Sequence, residues 1–173
     1  PPSPDFLARL EEARRIFASP PGSDLSPFLV PAGTPLTMKT GRGSLAPGRT
    51  LTVFETSAPG RIAGLRLRPA SALASKDRDI LIRMTWDGAP VPAVECPVGD
   101  FFGASFGDPA VRSLLLGSTP VADGDADYIY FPMPFERSAR VELVSERASR
   151  LPPIEVEAEA VALRAVGDQS APR

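Results

Sequence analysis

The spacing of apolar residues changes character once along the chain, near residue 50. Before that point Phe6, Leu7, Leu10, Ala13, Ile16 and Phe17 recur at intervals that fit one face of an amphipathic helix. Ser3-Pro4-Asp5 ahead of them supplies an N-cap hydroxyl, a first-turn proline and an early carboxylate. Ser19-Pro20-Pro21-Gly22 ends the helix, because proline lacks an amide donor and forces its predecessor out of helical geometry. Residues 23 to about 48 are broken by prolines and glycines, and irregular chain is expected there.

Beyond that point the period is two. Residues 50–57 and 61–68 read as strands joined by a Pro59-Gly60 turn, with Leu65 and Leu67 facing away from Arg66 and Arg68. Residues 79–86 put Ile80, Ile82, Met84 and Trp86 on one face and Leu81, Arg83 and Thr85 on the other. Asp87-Gly88 favours a tight reversal into a return strand over 91–97, whose prolines point to an edge or to irregular pairing. Further strands are expected over 128–133, 138–145 and 154–165. Strands joined by turns, with one terminal helix and no alternating helices, predict an all-β fold: an antiparallel β-sandwich of jelly-roll type with one N-terminal amphipathic helix. The expected organisation is a helix and proline-rich linker over 1–22, the sandwich over 23–166 and a polar tail over 167–173. The stretch 101–126 is too long for a hairpin, and loops of that length are usually functional or part of an interface.

Composition then removes whole classes of function. At 173 residues and 43% hydrophobic content the chain is sized for one core. Its 21 prolines and 14 glycines stay below the roughly 25–30% of low-complexity chains. No apolar run approaches the roughly 20 residues needed to span a bilayer, so no membrane partner is expected. Nineteen basic and 21 acidic residues, with no long run of either sign, give no footprint for nucleic acid. Histidine is absent, which excludes triads, imidazole bases and histidine metal sites. The lone Cys96 excludes an internal disulfide and a cysteine-rich zinc site. Pro1 in place of methionine reads as a cropped domain or a processed product.

Carboxylates, hydroxyls, aromatics and arginines remain. Asp87, Glu95 and Asp100 resemble a carboxylate cluster, but glycosidic hydrolysis needs two carboxyl groups at a controlled separation, which sequence spacing does not supply. Asp87 is expected to serve the turn, where Asp-Gly tolerates positive φ, and Glu95 to be solvated. Asp100 stands between Gly99 and two aromatics at a strand exit. Either it accepts backbone N–H groups and shapes the loop, or it projects toward a bound polyol. Phe101 and Phe102, if extended, point oppositely, so one enters the core and the other lines a pocket or an interface. The segment from Tyr128 to Phe135 is the second aromatic concentration; its rings suit the apolar faces of sugars and equally an ordinary core. Asp100, Phe101, Phe102, Tyr130 and Phe135 are therefore the candidate carbohydrate-binding residues, and no residue is given a catalytic role. Arg137 and Arg140 are expected on a solvated face, with contact to a neighbouring loop or an anion as the alternative. Gly41-Arg42-Gly43 lacks the spacing of a phosphate loop. Asp123, Asp125 and Asp127 lack the full EF-hand pattern, so no metal and no cofactor is expected.

Three pieces in order, Arg83-Met84-Thr85-Trp86-Asp87-Gly88, then Val94-Glu95-Cys96-Pro97-Val98-Gly99-Asp100-Phe101-Phe102-Gly103, then Tyr130-Phe131-Pro132-Met133-Pro134-Phe135-Glu136-Arg137-Ser138-Ala139-Arg140, resemble glycoside hydrolase family 172, the former domain of unknown function 2961. The resemblance spans residues 50 to 165. It implies two jelly rolls in tandem, assembly into trimers or multiples of them, and retaining activity on fructofuranosides or arabinofuranosides. On that resemblance this chain is the first jelly roll, and the catalytic glutamates lie in the half that would follow it. The loop of Asp100 to Gly103 and the aromatic segment would then lie near the sugar site or a subunit interface. The noncatalytic alternative is a carbohydrate-binding or oligomer-assembly module. It draws on the unusual Ala58-Pro59-Gly60-Arg61 segment and on the lack of a defensible carboxylate pair.

Overall fold

A computed structural model describes residues 2–30, 34–107, 111–119 and 124–164. The chain opens with helix α1 (Pro4–Phe17), where Ser3 Oγ accepts the Phe6 N–H at 3.2 Å, the predicted cap. None of its residues is buried, and Phe6, Leu7, Leu10 and Phe17 stay exposed, Phe17 at 78%. Ile16 alone of the apolar stripe packs on a small cluster of Leu25, Tyr128 and Tyr130. The helix is amphipathic as expected, but its apolar face is not buried by the described part of this chain.

The body is two antiparallel sheets packed face to face. In chain order the strands are β1 (Thr37–Leu45), β2 (Thr50–Thr56), β3 (Gly60–Arg68), β4 (Ile80–Trp86), β5 (Val94–Pro97), β6 (Leu116–Ser118), β7 (Asp127–Ile129), β8 (Met133–Phe135), β9 (Ala139–Ser145) and β10 (Ile154–Arg164). The first sheet runs β1-β10-β3-β7-β6, with β8 also on β3; the second runs β2-β9-β4-β5. Successive strands β1 and β2 lie in opposite sheets, as do β3 and β4, and the last two strands interleave with the first four. That is the jelly-roll winding, and the predicted fold class holds. The core between the sheets is built by the inward period-two sets, including Ile62, Leu65 and Leu67 of β3, Ile80, Ile82 and Met84 of β4, and Val141 and Leu143 of β9.

Four local expectations need correction. Strand β1 lies inside the stretch expected to be irregular. Register opposite β10 places Lys39, Gly41, Gly43 and Leu45 on the side of Ala160, Ala158, Val156 and Ile154, so the inward face is carried largely by glycines. A Cβ on Gly43 would sit 2.7 Å from Leu51 Cδ1: β2 fills the space, and no apolar period is left to read. The single strand expected over 128–133 is two, β7 and β8, pairing with opposite ends of β3. Pro132 and Pro134 lack amide donors, which favours the break. The return strand expected from Val91 begins at Val94. Phe101 is not in extended chain, because residues 98–101 form a helical turn, α3 (Val98–Phe101), packed on another, α2 (Ala70–Leu73). Phe102 is buried in the core all the same, with the half-buried Phe101 edge-on at 5.0 Å between ring centroids.

Candidate functional site

One end of the sandwich carries two neighbouring cavities that share Thr56 in their lining. The first, about 250 Å³, opens between the sheets where the Pro59-Gly60 turn leaves a mouth, and is mostly apolar. Phe54 and Phe135 form its floor, and Thr37, Lys39, Ala58, Ala162 and Leu163 complete most of the wall. Lys39 is an inward-facing charge on an edge strand. Its ammonium lies 5.0 Å from the Phe54 ring centroid and donates to the Glu55 carbonyl at 3.0 Å. Phe135 is backed by Trp86, nearly parallel at 6.2 Å between centroids. The second cavity, also about 250 Å³, lies against Glu55, Thr85, Gly88, Ser138 and Arg140. Here Arg140 donates from Nε and Nη2 to Glu55 Oε1 at 2.9 and 2.6 Å. The carboxylate raises the guanidinium's pKa by hydrogen bonding and charge.

Asp87 braces the segment that runs from Phe135, in the first lining, to Ser138, in the second. Asp87 and Gly88 both have positive φ, 58° and 71°, as the tight reversal required. The side chain does more than serve its own turn. Asp87 Oδ1 accepts the N–H groups of Glu136, Arg137 and Ser138 at 2.9, 2.7 and 3.2 Å. These donors, Arg137 foremost, hold its carboxyl below the usual carboxylate range. Arg137 also donates to the Asp87 carbonyl at 2.8 Å. Glu95, exposed as expected, accepts from Arg83 across β4 and β5 at 2.5 Å.

The five candidate residues fall in different places. Phe135 lies in the rim just described. Tyr130 is buried on the outer face of the first sheet with Leu25 and Tyr128, and burial raises its phenol pKa. Asp100 lies in α3, where its Oδ2 accepts from Arg78 at 2.5 Å and its Oδ1 is buried without a partner among the described residues. Arg78 also covers the exposed Phe106 ring at 5.3 Å. This ion pair with Arg78 was not among the expectations for Asp100, whose side chain remains 26% exposed. Phe101 and Phe102 pack inward beside it.

Sequence reasoning passed over Lys39, Phe54, Thr56 and Glu55; Arg140 is exposed, as expected, and pairs with Glu55. The signal for Lys39 was its phase with Gly41 and Gly43. It also missed the state of Asp127. Asp123 lies outside the described residues. Asp125 is spent on α2, accepting from Ser71 N and Oγ at 2.7 Å each. Asp127 is 0% exposed, on the inward side of β7 beside Leu67 and Ser118. Both its oxygens and Ser118 Oγ lack hydrogen-bond partners among the described residues. Burial, with the Asp125 charge adding to it and the Ser118 hydroxyl opposing, pushes its carboxyl up to about 7. Among the described residues no three carboxylate or thiol groups come together in a form that could hold a metal ion. No helix there is long and apolar enough to cross a membrane.

Comparison with known families places this arrangement: the GH172 domain-like family matches residues 35–156. The chain belongs to that family. The match begins just ahead of β1 and ends inside β10, so it covers most of the rim lining and excludes α1, while Ala162 and Leu163 of the first cavity lie beyond it. No curated protein matches the chain significantly.

Proposed function

We propose that this GH172-like domain holds a furanoside, a fructofuranoside or arabinofuranoside, at the rim of its sandwich. In this reading it is the first jelly roll of a retaining glycoside hydrolase whose catalytic glutamates lie outside the chain. One observation carries the reading. The paired rim cavities offer an apolar floor, Phe54 and Phe135, beside hydrogen-bonding groups, Lys39, Thr56, Glu55 and Arg140, yet their lining includes a single carboxylate. A sugar ring presents apolar C–H faces and directional hydroxyls, which such a mixed wall suits. Retaining hydrolysis needs two carboxyl groups about 5–5.5 Å apart. Glu55 is alone there and already held by Arg140, so the rim binds and orients without supplying both catalytic groups.

The test is incubation of the whole chain with methyl arabinofuranoside and methyl fructofuranoside, following sugar release and, by ligand-observed NMR, binding. Binding without release is expected, with Lys39→Ala and Arg140→Gln weakening it. Release by the chain would refute the assignment of catalysis elsewhere, and absence of binding would refute the rim.

A second reading, a noncatalytic assembly module, is favoured by α1, whose Phe6, Leu7, Leu10 and Phe17 are exposed. Sedimentation equilibrium decides it. Trimers or multiples that revert to monomers in Leu10→Glu support assembly, and a monomer throughout rejects it.

A further inference from the structure

On the outer face of the first sheet, away from the rim, the chain after α1 crosses β3 and encloses a cavity of about 220 Å³ lined by Pro21, Gly22, Arg66, Arg68, Thr119, Ala126 and Tyr128. Among the described residues, Arg66 and Arg68 are its only charged lining. Alternation along β3 sends both outward, opposite the core-facing Leu65 and Leu67.

No carboxylate stands in the cavity's own described lining to offset this pair. Both guanidiniums share one carboxylate: Glu159 lies 4.0 Å from Arg66 Nη1 and 3.4 Å from Arg68 Nη1. Arg66 further donates to the Gly22 carbonyl and to the Tyr130 hydroxyl, which fixes its plane, while its Nε is buried without a partner. Arg68 donates to the Gly124 carbonyl at 3.3 Å and remains 32% exposed. Burial raises the Tyr128 phenol's pKa, and a third cation, Arg112, opposes that rise together with Arg66. Of the other described acids, Asp24 faces Arg66 from an adjoining cavity that Glu159 also lines. Asp24 accepts from Ser26, Asp125 from Ser71, Glu157 pairs with Arg42, and Asp127 points to the opposite side of the sheet.

We propose that this cavity is a binding site for a small anionic group, the carboxylate or phosphoryl end of a ligand, held between Arg66 and Arg68. Guanidinium forks match planar or tetrahedral oxyanions with parallel N–H donors. Here one fork is already oriented by neutral carbonyl and hydroxyl acceptors, and the other is accessible. The proposal does not depend on furanoside binding at the rim.

Calorimetric titration of the whole chain at low ionic strength, with inorganic phosphate and with glucuronate as separate probes, tests it. Saturable binding of at least one probe is expected. Binding of phosphate alone assigns a phosphoryl ligand, of glucuronate alone a carboxylate, and of both an oxyanion of either kind. Arg68→Gln should weaken binding about tenfold, the equivalent of about 1.4 kcal/mol. Arg42→Gln, on the same face but paired with Glu157, should leave it unchanged. Glu159→Gln removes the carboxylate that competes for both arginines and should tighten binding several-fold, a gain that misfolding cannot imitate. No saturable binding of either probe, an equal loss in Arg42→Gln, or weaker binding in Glu159→Gln would overturn the proposal.

Discussion

Asp127 gives the sharpest handle on the energetics of this fold. Asp127 has no solvent exposure, and burial disfavours its carboxylate form against the partial opposition of the Ser118 hydroxyl. Its carboxyl moves from an ordinary 3.8 to about 7. Each pH unit of such a rise corresponds to about 1.4 kcal/mol, so the whole displacement is worth about 4 kcal/mol. The sign follows from proton counting. Between the two values the unfolded chain has lost this proton and the folded chain keeps it, so stability falls as pH rises. The favourable contribution is complete below about pH 4, declines through the interval and is gone above about pH 7. Asp127→Asn keeps the shape and removes the titration. Urea unfolding followed by circular dichroism, from about pH 4 to pH 8, should show wild type losing up to about 4 kcal/mol relative to the variant. Above about pH 7 the variant should be the more stable, by less than that figure, because a buried amide without partners itself costs about 1–3 kcal/mol. Parallel stability profiles for the two proteins would refute the reasoning.

The other predictions concern the rim and the strand geometry. Asp87→Ala should lower the denaturation midpoint at neutral pH, since three N–H donors lose their shared acceptor. The depressed carboxyl makes this stabilisation complete above the ordinary aspartate range and lost as pH falls through its lowered value, so the difference from wild type should vanish in strong acid. Gly88→Val meets no neighbouring atom within 4 Å and is strained only by its φ of 71°, so it should cost about 1–2 kcal/mol in chemical denaturation. Gly60→Ala would place a Cβ 2.2 Å from the Leu163 carbonyl oxygen. That clash falls on the β3–β10 ladder and should cost at least about 2–3 kcal/mol; equal losses at Gly60 and Gly88 would contradict this distinction.

What the sequence made legible was the part governed by alternation. β2, β3, β4, β9 and β10 each carry apolar residues on one face, and the jelly roll follows from pairing them. β1 was hidden because Gly41 and Gly43 occupy its inward face, a role set by the nearness of β2 rather than by hydrophobicity. The break between β7 and β8 was hidden because both halves are apolar and both pair with β3. At the site, Phe135 was legible as an aromatic in a dense segment. Its companions Lys39, Phe54 and Glu55 come from β1 and β2, far away in sequence, and only the closing of the two sheets brings them together. Asp100 was conspicuous by its neighbours, but its partner Arg78 lies in the connection before β4. Asp127 sat within a run of acids that resembled a metal loop, and nothing in that run marks which carboxylate turns inward.

Backbone-resolved NMR of the isotope-labelled chain during titration with methyl arabinofuranoside and methyl fructofuranoside decides whether the rim holds a furanoside. Saturable shifts concentrated at Lys39, Phe54, Glu55, Thr56, Phe135 and Arg140 are expected, with no new signal of hydrolysed sugar. Shifts centred elsewhere, or a spectrum indifferent to both furanosides, would contradict rim binding.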